Sequence, residues 1–467
     1  MANLTDARFT EGNLMRHVSV MSFTASIGLM AIFAVDLIDV LFISMLGNEA
    51  LAAAAGYAGS VMFFASAVNI GLSVAAGALV AKAIGAGDDH EAREFATSVA
   101  VFSVLTGILL PVLALPVLDH ILAFLGASGE VAEMAERYLW IILPTTMVSG
   151  LSMTAVAVLR AYGDAPRAMY PSLMGGAVNA VFDPILIFAL GLGLEGAAWA
   201  TVLARLATLG FAIYPAIRLY NAFAKPRLKC TFRDIKNASG IAVPAVLATV
   251  ATPVGTALVT REMAKYGTDA VAGMAIINRM VPVVFAVILA LSGSIGPIIG
   301  QNFGAGRLDR VRETFLDGIG FVALYVVSVA MLLFVLREPI ADLFDATGQT
   351  RDLIVLFCGP LALASFFNGA VFVANAAFNN LGHPGYSTWV NWGRHTLGTW
   401  PMAVLGGMYW GAEGVLIGQA MGGVIFSGVA TWLALAMIAN PGRPICRMTQ
   451  SFRSVRRHHE LCMRCNR

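Results

Sequence analysis

Residues 17–46 read HVSVMSFTASIGLMAIFAVDLIDVLFISML. The run holds 30 residues, most of them apolar, and its only acids are Asp36 and Asp39. A transmembrane helix needs about 20 apolar residues, so this stretch can span a bilayer with some tilt. A carboxylate at bilayer depth costs roughly 2.5–3.5 kcal/mol even on lenient insertion scales, and such groups are rare and usually functional. One stretch therefore points both to the fold class and to the place where function should be sought.

The rest of the chain repeats this pattern. Further apolar runs fall near residues 52–81, 95–124, 135–160, 168–193, 197–219, 240–264, 270–300, 314–336, 353–379, 386–409 and 414–439. Hydrophobic residues make up 58% of the chain and charged residues only 12%, against about 25% charged in soluble domains. The expected fold is an all-α integral membrane protein with twelve transmembrane helices. A barrel would show segments of about 10 residues with period-two alternation, which are absent. Residues 1–16 are polar and precede a long apolar run, so no cleavable leader is expected.

Basic residues set the expected orientation. With the N-terminus inside, 22 of the 30 Lys and Arg fall on the cytoplasmic side and 5 opposite, while Arg205, Arg279 and Arg394 lie within spans. This asymmetry predicts an inner-membrane protein with both termini cytoplasmic. The net charge of +2 carries no signature of nucleic-acid binding, and no such partner is expected. The chain is expected to act as a monomer in the lipid bilayer. The five cysteines are scattered and three lie in the tail, which argues against a disulfide framework.

The chain also repeats itself. Gly85-Ala86-Gly87 with Arg93-Glu94 matches Gly304-Ala305-Gly306 with Arg312-Glu313 at an offset of 219. Asp183-Pro184 matches Trp400-Pro401, and Gly47 matches Gly267. The expected division is a segment 1–16, a six-helix bundle 17–220, a linker 221–239, a second bundle 240–439 and a basic tail 440–467. Six helices per copy make the repeats parallel, related by a pseudo-twofold axis along the membrane normal, as in several secondary transporters.

Asp36 and Asp39 are three apart on helix 1, and Asn179 and Asp183 are four apart on helix 5, so each pair shares a face. Thr201 and Arg205 on helix 6 come near the same depth. The residues predict a cluster of Asp36, Asp39, Asn179, Asp183 and Thr201, with Arg205 as a candidate counter-ion. Repulsion between crowded carboxylates would be relieved by a proton or a Na⁺. A purely structural network tying the helices together is the competing reading. In the repeat register Asp36, Asp39, Asp183 and Thr201 become Thr256, Val259, Trp400 and Gln419, so the fold does not need the acids.

Asn179-Ala-Val-Phe-Asp183-Pro184, Glu195-Gly196-Ala197-Ala198-Trp-Ala200-Thr201, Val35-Asp36-x-x-Asp39-Val-Leu-Phe-Ile-Ser-Met-Leu-Gly47 and Gly300-Gln301-Asn-Phe-Gly304-Ala305-Gly306 together resemble the multidrug and toxic compound extrusion (MATE) family, over essentially the whole chain. The resemblance implies a cation-coupled antiporter, not an enzyme, that expels small organic, often cationic and amphipathic compounds. It implies that Asp39, Asn179, Asp183 and Thr201 couple transport to H⁺ or Na⁺, with no other cofactor. One departure stands out: the family's first helix usually carries a proline, and residues 17–47 have none, leaving Ser26 and Gly28 as weak points.

Polar candidates for the cavity in the second half are Asn368, Asn375, Arg394, His395 and Gln419. Arg279 reads as an interface anchor at the outer start of helix 8. The tail residues Cys446, His458, His459, Cys462 and Cys465 fit no standard zinc spacing and read better as a basic surface tail. Two other readings are a flippase for lipid-linked precursors and a membrane-embedded enzyme. The first wants a cleft rich in Arg and Lys, and the second a nucleophile and base near an interface.

Overall fold

A computed structural model describes residues 7–46 and 49–440. Gly47 and the tail cysteines and histidines lie outside the described residues. The described chain is helical throughout, because in lipid every backbone N–H and C=O must find its partner within the segment. Eleven helices among the described residues are long and apolar enough to cross a membrane. The last of them, Gly385–Ala439, has 55 residues, far more than one crossing needs. It folds back at Trp410–Gly411, where Gly411 takes φ +63°. Split there, the described residues make twelve crossings.

The first bundle comprises α1 (Leu14–Met45), α2 (Glu49–Gly85), α3 (Asp89–Leu125), α4 (Gly129–Ala161), α5 (Ala165–Ala189) and α6 (Gly193–Arg218). The second comprises α7 (Leu228–Met263), α8 (Thr268–Val284 and Ala286–Gly304), α9 (Leu308–Leu343), α10 (Gly348–Cys358 and Ser365–Asn380), α11 (385–410) and α12 (411–439). Twelve crossings leave the start of α1 and the end of α12 on one side, called here the terminal face, opposite the far face.

Proline breaks recur at matching places. Helix α4 narrows to a tighter turn at Leu143–Thr145, around Pro144, and α10 does so at Pro360–Ala364. Helices α5 and α11 each widen into a π-turn beside a proline: Ile185–Ala189 after Pro184, and Arg394–Thr399 before Pro401. Proline lacks the N–H that the ladder needs, and a wide turn absorbs the mismatch.

The packing has the same symmetry. Helix α1 leans on α8 and α9 of the second bundle, and its counterpart α7 leans on α2 and α3 of the first. At the terminal face a Cβ on Gly85 would sit 2.0 Å from the Gln301 carbonyl, and one on Gly304 would sit 2.0 Å from the Lys82 carbonyl. The two glycine-rich turns therefore interlock across the axis, which only glycine permits. The chain start adds a latch. Phe9 N–H donates to Gln301 Oε1 (2.9 Å), while Asn302 Nδ2 and Arg310 Nη2 donate to the Phe9 carbonyl (3.0 and 3.1 Å).

The α11–α12 hairpin is held by glycines. Gly414 faces Gly406, Gly418 faces Met402 and Ala403, and Gly422 faces Gly398 and Thr399, each without room for a Cβ. Small residues four apart let two apolar helices approach where lipid offers no hydrophobic drive.

The structure changes two expectations here. Helix α7 begins at Leu228, inside the expected linker 221–239, which contracts to 219–227. Buried Asp234 accepts from Ser98 Oγ of α3 (3.1 Å) and pairs with Arg233, and that tie makes a polar stretch part of the helix. Helix α1 runs unbroken: Ser26 Oγ turns inward to the Phe23 carbonyl (2.8 Å), and Gly28 lies against Ser172 and Met169 of α5.

Candidate functional site

Asp39 lies six residues before the end of α1 at Met45, and Asp183 six residues before the end of α5 at Ala189. Both are thus about 9 Å along the helix from the far end. The two helices meet closely because Gly28 and Gly176 present no side chain, and Phe42 and Phe188 close the far end edge-to-face at 5.8 Å. The Asp39 and Asp183 carboxyl groups come within hydrogen-bonding reach of each other.

Asp183 is fully buried, and neither of its oxygens has a donor among the described side chains or backbone. Asp39 Oδ1 and Asn179 Nδ2 are likewise buried without partners. Two bare carboxylates in this position would repel one another, and a single shared proton turns that repulsion into a hydrogen bond. Unpaired Asn179 Nδ2, four residues before Asp183, is available as a donor whenever the pair carries more charge.

Thr201 Oγ1 donates to the Ala197 carbonyl (3.0 Å) and keeps its lone pairs for a second partner. Tyr138 of α4 brings its hydroxyl near Thr201 and the group of Arg205, Asp39 and Asp183. Sequence reading missed Tyr138, because a lone tyrosine has no spacing signature. Depth alone could have found it: Tyr138 is nine residues into α4 and Thr201 eight into α6, both from the far face.

Asp36 does not join the pair. It is exposed, and its charged neighbour is Asp39 rather than Asp183. Arg205 does not act as counter-ion here. Its Nη1 donates to the Ile142 carbonyl (3.1 Å) and Thr145 Oγ1 (2.6 Å), satisfying groups freed at the Pro144 break. The matching positions in the second bundle carry no acid. Val259 is packed in the core and Trp400 is exposed, while Thr256 and Gln419 are half-buried, Gln419 with its Oε1 unpaired.

The second bundle has its own polar group. Arg394 is 6% exposed, on the π-turn of α11. Its Nη1 donates to Asn368 Oδ1 of α10 (2.5 Å), its Nη2 to His395 Nε2 (2.9 Å), and its Nε has no partner. Asn375 Oδ1 accepts from Asn391 Nδ2 (3.3 Å) on the same side of the bundle. Two other arginines lie within helices. Arg160 ends α4 with its guanidinium against Gly293 of α8, on the seam between bundles. Arg279 lies eleven residues into α8 rather than at its start.

Comparison with known proteins agrees with the two-bundle fold. The MatE family model matches residues 25–185 and again residues 244–401, once in each bundle. The FAD transporter of Shewanella oneidensis is 27% identical over 432 residues, covering 90% of this chain and 94% of its own length. The multidrug export protein MepA of Staphylococcus haemolyticus is 26% identical over 368 residues, covering 78% and 81%. A crystal structure of the Vibrio cholerae MATE transporter VcmN, carrying an aspartate-to-asparagine mutation, superposes with a TM-score of 0.85 at 24% identity, covering 92% of this chain and 98% of that one. With both halves matched and the fold shared along nearly its full length, the chain belongs to the MatE family of membrane transporters.

Proposed function

We propose that the protein is a proton-coupled antiporter that exports small amphipathic organic compounds by alternating access, acting as a monomer in the inner membrane with both termini cytoplasmic. The observation that carries this reading is the Asp39–Asp183 pair, two carboxyl groups in mutual reach at bilayer depth with no basic side chain bonded to either. Such a pair takes up and gives off a proton as its surroundings open and close. Asn179 and Thr201, through Tyr138, supply neutral groups that suit either state. A proton is favoured over Na⁺ because two carboxyl groups in mutual reach can share a proton directly, and the unpaired group near them, Asn179 Nδ2, is a donor and not a cation ligand. No further cofactor is called for.

Helix α1 is the natural transmitter. Its first turns belong to the core of the second bundle through Leu14, Val18 and Met21, and Ser294 Oγ of α8 donates to the Met21 carbonyl (3.3 Å). Its last turns carry Asp39 against α5. Protonation that loosens or tightens the α1–α5 contact is thereby felt by both bundles. In the present arrangement the interlocked glycines and the Phe9 latch seal the terminal face. With that face cytoplasmic, the cytoplasmic side is the closed one.

Relatives named as multidrug export proteins and as an FAD transporter support export of organic molecules; the latter extends the expected cationic class to anionic ones. The test is transport in proteoliposomes driven by an imposed pH gradient. Asp39→Asn and Asp183→Asn should each reduce driven efflux to the level of empty vesicles while the protein keeps its melting temperature. Undiminished efflux by both variants, or efflux driven by Na⁺ alone, sinks the proposal.

A further inference from the structure

The second bundle holds a buried cation with no acid beside it. No carboxylate among the described residues lies within ion-pair distance of Arg394. Arginine does not give up its proton in a protein, so the charge cannot be relieved by titration. An uncompensated charge this deep is costly, and in membrane proteins it marks a ligand path. Arg394 sits nine residues into α11, about 14 Å of rise, near the middle of the roughly 30 Å hydrocarbon core.

The surroundings are built rather than accidental. His395 must accept from Arg394 at Nε2, since Arg only donates. Its ring occupies the space left by Gly255 of α7, where a Cβ would lie 2.1 Å from Nδ1. Asn368 holds the other end of the fork through Nη1 and is itself exposed. Helix α10 is ringed by α8, α9, α11 and α12 within its bundle and also touches α2 of the first. Asn368 gives the site its exposed side. Arg394 Nε remains unpartnered.

We propose that Arg394, presented by Asn368 and His395, is an anion subsite at mid-membrane that takes a carboxylate or phosphate group of the transported molecule. The proposal rests on the export reading above and names its substrate class: amphipathic compounds with an anionic group. A planar guanidinium with no counter-ion matches both oxyanions. An incoming anion can replace Asn368 at Nη1, exchanging a neutral amide oxygen for a charged one at a guanidinium that has no counter-ion.

The test uses the full-length protein in phosphatidylcholine nanodiscs at equilibrium, with no pH gradient. Failure of proton coupling in the first bundle then cannot imitate failure of this site. The probes are riboflavin and flavin mononucleotide, which differ by one phosphate, read by fluorescence, with inorganic phosphate as competitor. Flavin mononucleotide should bind at least about ten-fold more tightly than riboflavin, the range expected for a hydrogen bond to a charged group, and phosphate should displace it. Arg394→Gln should remove that difference and leave riboflavin binding unchanged. Asn368→Asp guards against misfolding: it supplies the missing counter-ion, so it should fold at least as well as the wild type and still lose the preference. Phosphatidylglycerol doped into the disc separates the sources. Displacement of the flavin assigns the anion to a lipid headgroup, and no displacement assigns it to a free solute; both preserve the subsite. Equal binding of the two flavins, no binding of either, or a preference that survives both substitutions overturns it.

Discussion

The two bundles share a fold and differ in charge. The first carries two acids in mutual reach and no cation bonded to them, and the second a buried arginine and no acid beside it. A protein seeking only stability would put such groups together, because a lone buried charge costs more than a paired one. Their separation into opposite halves keeps each open to a mobile partner: a proton on one side, a solute on the other. The symmetric positions show that neither group is demanded by the fold, since Asp39 becomes Val259 and Asp183 becomes Trp400.

The largest expected effect comes from breaking the acidic half. Asp183→Asn should abolish pH-driven efflux while leaving flavin binding at the second bundle intact. Measuring both in one preparation tests whether the halves are as separate as their charges imply. Loss of both would mean that the comparison fails. The next effect concerns what the halves share. Gly304→Ala places a methyl on the Lys82 carbonyl, and overpacking of this kind costs about 1–3 kcal/mol. It should lower the melting temperature and raise hydrogen exchange over residues 79–87, the stretch of chain that it props open. Gly85→Ala, its partner across the axis, should do the same at residues 298–306; a one-sided response would deny the twofold seam.

Gly255→Ala sharpens the basic half. It displaces His395 and should weaken flavin mononucleotide binding without touching proton-driven transport. Tyr138→Phe removes one uncharged hydroxyl beside Thr201, a change on the order of 0.5–1.5 kcal/mol, and should slow efflux by roughly two- to ten-fold with a shifted pH profile. Asp36→Asn should change efflux least, because the residue is exposed and outside the pair, and exposed changes mostly stay within about 0.5 kcal/mol. An Asp36 effect as large as that of Asp183 would redraw the acidic site around three carboxylates.

Much of this was legible in the chain. Twelve spans follow from run length, since lipid thickness is a fixed ruler. The repeat follows from Gly85-Ala86-Gly87 and Gly304-Ala305-Gly306, and the interlocking carbonyl contacts explain why those glycines recur. Asp39 and Asp183 could be picked out because burial cost singles out acids in apolar runs, and their common depth follows from counting along two parallel helices. The boundary at Leu228 was not legible, because hydropathy averages over Asp234 without seeing Ser98.

What the sequence by itself determined is thus everything set by length, period and depth: the crossings, the duplication, and the placing of Asp39 and Asp183 at one depth in the first half. Only the tertiary structure decided who meets whom. It turned Arg205 onto the Pro144 break instead of an aspartate, set Arg160 on the seam, brought Tyr138 to Thr201 and left Arg394 without an acid. The physical reason is that depth is fixed by the rise along one helix. Partnership depends on the rotation and crossing of two helices, and those are settled by small residues such as Gly28, Gly176 and Gly255 acting together across the whole bundle.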